Sequence, residues 1–224
     1  MPKAKDGGME IKKMASKINI SYRLGRIGCK IFLTLFGPTK AYFTENVPAE
    51  GPVCLMPNHV SYLDPPVAGT FLKRKVYFMA KAELFKVPVL GPLIRSFGAF
   101  PVTRGVADRR ALARAMELMR AGEVVNIFPE GKRSETGEIC EPNRGSFDLA
   151  LKCGAVIVPA LIVGTEKSLS TLNPKIHKAP VKVLYGKPLE PEKYKDLPKD
   201  ELLSNLVKDW KDTLNNLKEE VKNV

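Results

Sequence analysis

The amino-acid sequence predicts an α/β domain, a mixed sheet flanked by helices, preceded by two amphipathic helices at the N-terminus. Beyond Glu50, apolar runs of four to eight residues alternate with stretches of helical periodicity. Several runs are apolar throughout, which is typical of strands buried on both faces. Residues 1–44 instead combine helical periodicity with many Lys and Arg. We therefore predict an N-terminal segment over residues 1–44 and one domain over residues 45–224, a length sufficient for one sizeable core.

The two N-terminal helices are predicted from the spacing of their apolar residues. The first begins at Met9, the break lies near Asn19 to Ser21, and the second ends before Gly37-Pro38. In both, apolar residues recur at spacings of three and four, with Lys and Arg between them. The apolar positions are Ile11, Met14, Ala15 and Ile18 in the first helix and Leu24, Ile27, Ile31 and Leu35 in the second.

The domain is predicted to contain six strands and at least four helices. The strands are Val53–Pro57, Val76–Ala80, Ala99–Val102, Val124–Phe128, Val156–Val163 and Val181–Tyr185. The helices are Pro66–Leu72, Ala107–Ala121, Ser146–Cys153 and a C-terminal helix with the stripe Leu203, Leu206, Trp210, Leu214, Leu217 and Val221. We assign that stripe to core packing. The stretch Leu84 to Phe100 is apolar but broken by Pro and Gly, and either lines an apolar groove or contacts a membrane.

The net charge of +12 requires an anionic partner, which is nucleic acid, anionic lipid or a phosphorylated substrate. Seven of these charges lie in residues 1–44, where nine Lys and Arg face one Asp and one Glu. Cations beside an apolar face are what an interfacial membrane anchor needs, and no nucleic-acid recognition motif is present. The predicted membrane-binding residues are Lys12, Lys13, Lys17, Arg23, Arg26, Lys30, Phe32 and Phe36. The alternative is that both helices simply pack on the domain core.

The expected location is the cytoplasmic face of the cell membrane, as a peripheral or monotopic protein. No stretch approaches 18 apolar residues, and no secretory signal is recognised. The four cysteines have no metal-ligand spacing and are predicted to be reduced thiols. We predict no metal site and no cofactor.

A histidine, a serine and an aspartate lie together in the turn Asn58–Asp64, directly after a predicted strand. His59 and Asp64, five residues apart, meet only if the segment bends, and Pro65-Pro66 favours a bend. Asp64 before Pro65 is also a good helix N-cap. One carboxylate oxygen is expected to cap the helix while the other holds His59.

Three further loops at predicted strand ends carry cations. Lys81 follows one strand, Arg104 ends another, and Phe128–Ser134 places Glu130, Gly131, Arg133 and Ser134 in a third loop. Arginine can clamp phosphate oxygens at two points, and a glycine allows backbone amides to approach an anion. Together these loops predict a phosphate pocket.

These residues in this order resemble the glycerolipid acyltransferases, and particularly the bacterial 1-acylglycerol-3-phosphate acyltransferases. The family's first block, Asn-His-x-Ser-x-x-Asp, is matched by Asn58, His59, Ser61 and Asp64. The second matches at Gly98, Phe100 and Arg104, the third at Phe128, Pro129, Glu130, Gly131, Arg133 and Ser134, and the fourth at Val158-Pro159. Lys132 departs from the pattern, where threonine is more usual, which puts only fine substrate preference in doubt.

The resemblance implies transfer of an acyl group from a thioester, on acyl carrier protein or coenzyme A, to the 2-hydroxyl of lysophosphatidic acid. His59 would be the general base and Asp64 would hold its other ring nitrogen. A Ser61 nucleophile is the alternative, although two substrates bound together need no covalent intermediate. Arg104, Arg133 and Lys81 would bind the phosphate, with Gly131 allowing close approach and Glu130 orienting Arg133 or contacting glycerol hydroxyls. Rival functions are acylation of glycerol 3-phosphate or another lysolipid, and noncatalytic docking on anionic membranes.

Overall fold

A computed structural model describes residues 20–103, 108–169, 175 and 177–224. Its centre is a seven-stranded sheet with the order β1-β7-β6-β2-β5-β3-β4. The strands are β1 Thr39–Tyr42, β2 Val53–Pro57, β3 Val76–Lys81, β4 Ala99–Val102, β5 Val124–Asn126, β6 Val156–Val163 and β7 Val181–Tyr185. The helices are α1 Ile20–Thr34, α2 Asp64–Thr70, α3 Leu90–Ser96, α4 Arg109–Arg120, α5 Arg144–Lys152, α6 Thr165–Ser168 and α7 Lys199–Glu220, with 3-10 helices at Thr44–Asn46, Ala82–Lys86 and Pro191–Tyr194.

The sheet is mixed, as predicted. Strands β2 to β6 run parallel to one another, whereas β7 pairs antiparallel with β6 and parallel with β1. All five residues of β2 are buried, because helices cover both faces of the sheet. Alternate residues therefore face two cores: Cys54 packs towards α4, α5 and α7, and Leu55 packs towards α1 and α2.

The C-terminal stripe packs in the core, as predicted. Leu203, Leu206, Trp210, Leu214 and Leu217 of α7 are all buried. The indole Nε1 of Trp210 donates a hydrogen bond of 2.8 Å to the carbonyl oxygen of Met56 in β2. The C-terminal helix is thus tied to the strand that leads into the site.

Strand β1, helices α3 and α6 and the three 3-10 helices were not predicted from the sequence. Strand β1, Thr-Lys-Ala-Tyr, has no apolar run and exists through its pairing with β7. It corrects the predicted boundary at residue 44, because residues 39–42 are part of the domain's sheet. Helix α3 contains Gly91 and Pro92, but Pro92 lies in the first turn, where a missing N–H leaves no intrahelical bond unmade.

Helix α1 packs on the domain core with one face and leaves its other face exposed. One face, with Tyr22, Cys29 and Leu33, is buried in the domain. The other face exposes the predicted apolar stripe together with Phe32, so that Leu24, Ile27, Ile31, Phe32 and Leu35 are 46% to 63% exposed. Within the residues described, no helix is long and apolar enough to cross a membrane.

The prediction that Phe36 binds the membrane is wrong. Its side chain is only 4% exposed, because the chain turns after Thr34 and directs Phe36 towards the domain. The ring of Phe36 packs edge-on against that of Phe32, which is 46% exposed. The predicted first helix, with Lys12, Lys13 and Lys17, lies outside the described residues.

Candidate active site

The site begins where β2 ends, and Asn58 continues the strand pairing with its side chain. Its Nδ2 donates to the carbonyl oxygen of Ile162 at 3.0 Å, and its Oδ1 accepts from the Ile162 amide at 2.7 Å. A carboxamide carries one acceptor and one donor, so it can substitute for a peptide group in the ladder with β6. The backbone is thereby free to leave the sheet and form the turn.

Asp64 lies inside the turn and is fully buried. Its Oδ2 lies 2.7 Å from Nδ1 of His59 and accepts from the amides of Val60 at 2.6 Å and Ser61 at 2.7 Å. Its Oδ1 accepts from the hydroxyl of Thr165, at the start of α6, at 2.7 Å. An ionised carboxylate only accepts hydrogen bonds, so Nδ1 carries a proton and Nε2 is the nitrogen that can take one.

The predicted helix-capping role of Asp64 is wrong. Its side chain turns back towards the amides that precede it in the chain, and no side-chain cap is present at the start of α2. The first turn of α2 contains Pro65 and Pro66, which have no amide hydrogen to be capped. Its Oδ2 therefore holds the imidazole, while its Oδ1 is held by Thr165.

Ser61 shapes the turn. Its hydroxyl donates to the carbonyl oxygen of Leu169 at 2.7 Å and accepts from the amide of Leu63 at 3.2 Å, and the residue is fully buried. The hydroxyl proton is thus directed away from His59. This arrangement argues against Ser61 as a nucleophile activated by His59.

The loop after β5 holds the backbone of His59 on both sides. The Oε1 of Glu130 accepts from the His59 amide at 2.7 Å, and the Ser134 amide donates to the His59 carbonyl oxygen at 2.7 Å. The ring of Phe128 stacks on the imidazole, with centroids 3.9 Å apart and an interplanar angle of 18°. The third motif thus positions the histidine of the first.

Glu130 does not contact Arg133 as predicted. Its second oxygen, Oε2, accepts from the Cys140 amide at 2.8 Å, so both oxygens are used by backbone groups. Burial raises the pKa of the Glu130 carboxyl above its usual value, and the two amide bonds lower it only in part. Glu130 and the buried Ser134 brace the site.

Arg133 instead lies against the turn Asn58–Asp64. Its guanidinium carbon is 3.8 Å from the ring centroid of Tyr62, which is 52% exposed. The buried Nε of Arg133 has no hydrogen-bond partner among the described residues. Gly131, before it in the loop, has a positive φ of 69°, a conformation that favours glycine.

The register of the parallel strands places the predicted loops at one edge of the sheet. Asn126 pairs with Leu55 on one side and Phe78 on the other, and Phe78 pairs with Ala99. The ends of β2, β5, β3 and β4 therefore open on the same side. Lys81 ends β3, two strands or about 10 Å from β2, and its Nζ lies 3.5 Å from a carboxylate oxygen of Glu83. Arg104 lies outside the described residues.

Sequence reasoning missed Thr165, Leu169 and Tyr62. The first two come from the α6 region, about a hundred positions after the turn, and no local pattern marks them. Tyr62 occupies a variable position within the first motif. Among the residues described, no group of three or more His, Cys, Asp or Glu side chains could hold a metal ion.

The buried imidazole and carboxylate lie at the carboxyl edge of the sheet and are braced by the loop after β5. Residues 39–163 match the family model described as Acyltransferase. The match covers more than half of the chain, and this protein belongs to the acyltransferase family.

Comparisons with individual proteins narrow the class, as the sequence motifs predicted. The chain is 29% identical to a 1-acyl-sn-glycerol-3-phosphate acyltransferase of Bacillus subtilis (strain 168), covering 83% of this chain and 91% of the relative. It is 33% identical to the chloroplastic 1-acyl-sn-glycerol-3-phosphate acyltransferase LPAT1 of Arabidopsis thaliana, over 66% of this chain and 43% of that protein. The crystal structure of the 1-acyl-sn-glycerophosphate (LPA) acyltransferase PlsC from Thermotoga maritima matches with a TM-score of 0.74 and 26% identity, over 88% of this chain and 78% of that one.

Proposed function

We propose that this protein transfers a fatty acyl group from an acyl thioester to the 2-hydroxyl of 1-acylglycerol 3-phosphate, giving phosphatidic acid. The named relatives support this acceptor. The observation that carries the reaction is the contact of 2.7 Å between Nδ1 of His59 and Oδ2 of the fully buried Asp64.

In the proposed reaction, Nε2 of His59 removes the proton of the 2-hydroxyl as its oxygen attacks the thioester carbonyl carbon. Asp64 stabilises the imidazolium that forms. When the carbon–sulfur bond breaks, the imidazolium returns the proton to the leaving thiolate, giving the free thiol and an unchanged enzyme. This direct transfer needs no acyl-enzyme, in keeping with the hydrogen bond from Ser61 to Leu169.

The acceptor phosphate is proposed to bind between cations at the carboxyl edge of the sheet. Arg133 is already oriented against Tyr62 on the catalytic turn, and its unpartnered Nε can donate to an anion. Lys81 and Arg104 complete the proposed set, and Gly131 gives the loop its shape. The acyl donor is acyl carrier protein or coenzyme A carrying the thioester, and no metal or cofactor takes part.

The exposed stripe of α1 is proposed to anchor the protein on the cytoplasmic face of an anionic cell membrane. Leu24, Ile27, Ile31 and Phe32 would enter the boundary of the acyl chains, while the exposed Arg23 and Lys30 of the same helix meet headgroups. Arg26 instead donates a hydrogen bond of 2.7 Å to the carbonyl oxygen of Leu72 in the domain. This position suits a lipid acceptor in the bilayer and a donor that arrives from the cytosol.

An acyl-transfer assay with the wild type and His59→Ala tests the proposal. Wild type should convert 1-acylglycerol 3-phosphate in preference to glycerol 3-phosphate, and His59→Ala should lose about 10²- to 10⁴-fold in kcat while remaining folded. A preference for glycerol 3-phosphate would assign the rival acceptor. Unchanged turnover by His59→Ala would remove it as the base.

A further inference from the structure

A second apolar surface is exposed beside the site and has no role in the reaction proposed above. It is the 82–96 hairpin, formed by the 3-10 helix Ala82–Lys86, the connection Val87-Pro88-Val89 and helix α3. Its four exposed apolar side chains are Leu84 at 40%, Val87 at 44%, Val89 at 82% and Leu93 at 46%.

The tip of the hairpin has a strained backbone. Val89 has φ 67° and ψ −51°, and the Leu90 amide donates to the Pro88 carbonyl oxygen at 2.7 Å. This is a γ-turn of the rare form, which is unfavourable for a β-branched residue. The strain holds an isopropyl group in solvent, where a folded domain gains nothing from it.

The hairpin is built to keep this shape. The Gly91 amide donates to the Val87 carbonyl oxygen at 2.9 Å. A Cβ at position 91 would lie 2.4 Å from the Phe85 carbonyl oxygen, so only glycine fits there. The guanidinium of Arg95 also lies 4.9 Å from the ring centroid of Phe85.

The hairpin adjoins both α1 and the active-site edge. Phe97, which follows α3, packs so closely on Gly25 of α1 that a Cβ there would lie 2.8 Å from its ring. At its other end the hairpin follows Lys81, the last residue of β3, at the edge where the dyad lies. The hairpin is therefore joined to α1 at one end and to the carboxyl edge of the sheet at the other.

The charge of the hairpin suits an anionic surface. The one acidic residue of the hairpin, Glu83 at its start, lies 3.5 Å from the Nζ of Lys81. Residues 84–97 contain no Asp or Glu, and the exposed Lys86 and Arg95 flank the apolar tip. Residues 20–36 of α1 and its end likewise contain no acidic residue. Cations near an anionic bilayer strengthen binding to it, and the apolar side chains between the cations can enter the acyl boundary.

We propose that the 82–96 hairpin is a second membrane contact, which inserts Val87, Val89 and Leu93 into the same anionic leaflet that α1 contacts. This inference rests on the proposed function, in which α1 anchors the enzyme to the membrane. One helix alone leaves the domain able to rotate about the helix axis. Two adjoining contacts fix its orientation, with the carboxyl edge of the sheet facing the layer that holds the lysolipid acceptor.

The other occupant to consider is a negatively charged donor protein. The membrane is favoured because the most exposed residue, Val89, is a small apolar group at a tip, and because the hairpin adjoins α1, whose exposed stripe is the proposed anchor. A protein partner would instead need a recessed, complementary surface around such a residue. The experiment separates the two.

The test uses the full chain with Val89→Ser and Leu93→Ser, singly and together, and sedimentation with vesicles of equal parts phosphatidylglycerol and phosphatidylcholine. The double variant should reduce the partition coefficient at least about tenfold, because two apolar side chains no longer leave water. Leu112→Ser is the matched control: Leu112 is 40% exposed on α4, which packs on the opposite face of the sheet from α1, and its loss should change partitioning less than about twofold. Val89 is so exposed that Val89→Ser will fold even if the Leu93 variant does not.

Activity gives the second readout. Val89→Ser should slow acylation of long-chain acceptor in vesicles but not of a short-chain, monomeric acceptor. Partitioning that stays at the wild-type value would overturn the inference, and a raised KM for acyl carrier protein alone would assign the hairpin to the donor protein. If the wild type acylates neither acceptor, the proposed function fails, while vesicle partitioning still decides the role of the hairpin.

Discussion

The turn Asn58–Asp64 differs in construction from the exposed apolar surface of α1 and the 82–96 hairpin. In the turn, polar side chains are buried and held by partners 71 to 108 positions away in the chain. On the surface, apolar side chains are exposed and their positions follow from local helical spacing and one short hairpin. The comparison shows that this fold places defined geometry where long-range hydrogen bonds converge, whereas the exposed apolar surface follows from local spacing alone.

The largest effect is expected at the carboxylate where those bonds converge. Asp64→Asn should lower kcat by about 10³- to 10⁴-fold, because an amide cannot accept from four donors and would turn an N–H towards the imidazole or the turn. Steady-state kinetics with thermal unfolding measures this. Asp196→Asn, at an exposed position, should retain wild-type activity. If Asp64→Asn retained more than a tenth of the wild-type kcat, the four hydrogen bonds accepted by Asp64 would not be needed for turnover.

Phe36 and Phe32 test the boundary between the two regions, since their rings touch with centroids 5.1 Å apart. Phe36→Ala should lower the free energy of unfolding by about 3–5 kcal/mol, as expected for a buried ring. Phe32→Ala should change stability by less than about 1 kcal/mol but weaken vesicle binding. Denaturant unfolding and vesicle sedimentation give both values. The reverse pattern would indicate that Phe36, and not Phe32, contacts the membrane.

Glu130→Gln distinguishes bracing from substrate binding. The amide replaces one acceptor oxygen, so one of the bonds to the His59 and Cys140 amides is lost. Bonds to a charged group contribute about 1.5–3 kcal/mol, so kcat should fall about 10- to 100-fold with little change in the KM for the acceptor. A raised KM with unchanged kcat would restore the predicted contact with substrate.

The raised pKa of Glu130 also predicts a pH dependence. Between its usual value and the raised pKa, the folded state holds more of this proton than the unfolded state does, so the stability that Glu130 contributes falls as pH rises. The difference in unfolding free energy between wild type and Glu130→Gln should accordingly be most favourable to wild type below the usual pKa. It should decrease as pH passes through the folded pKa. A difference that instead grows with pH would show that the amide bonds outweigh burial.

The smallest effect is expected at Thr165, which contacts only the oxygen of Asp64 that faces away from His59. Thr165→Val keeps the shape but removes the donor, and one hydrogen bond of this kind should cost about 5- to 10-fold in kcat. Thr165→Ser retains a hydroxyl and should stay close to wild type. Equal activities of the valine and serine variants would show that the bond to Asp64 has no part in orienting the dyad.

The elements predicted correctly are those with local patterns. The apolar runs defined β2, β4, β6 and β7 at their observed bounds, and the stripe on α7 was assigned to the core. Strand β1 had no such pattern, because its existence depends on the edge of β7. Periodicity found the stripe on α1 but could not show which face the domain would cover.

The site residues likewise divide into those that a local sequence motif marks and those that only the fold brings together. The motifs identified His59 and Asp64 as a pair, and the structure brings them to 2.7 Å. The helix cap predicted for Asp64 and the contact with Arg133 predicted for Glu130 were wrong, because the partners of both carboxylates are backbone amides, which every residue carries and no sequence pattern marks. The alternative predicted for Glu130, contact with glycerol hydroxyls, stays a prediction. Thr165 was missed for a related reason: a single hydroxyl near the end of a strand is common, and only the fold places it against Asp64.

The hydrogen bond from the Ile162 amide to the Asn58 side chain determines when that amide can exchange its hydrogen with solvent. The Ile162 amide lies in the ladder of the central strands, but its hydrogen-bond acceptor is the Asn58 side chain of the turn Asn58–Asp64. Its hydrogen therefore exchanges with solvent only when the turn has detached from β6, and not by fraying of a loop. The exchange rate of this one amide reports how often the catalytic turn is released from the sheet.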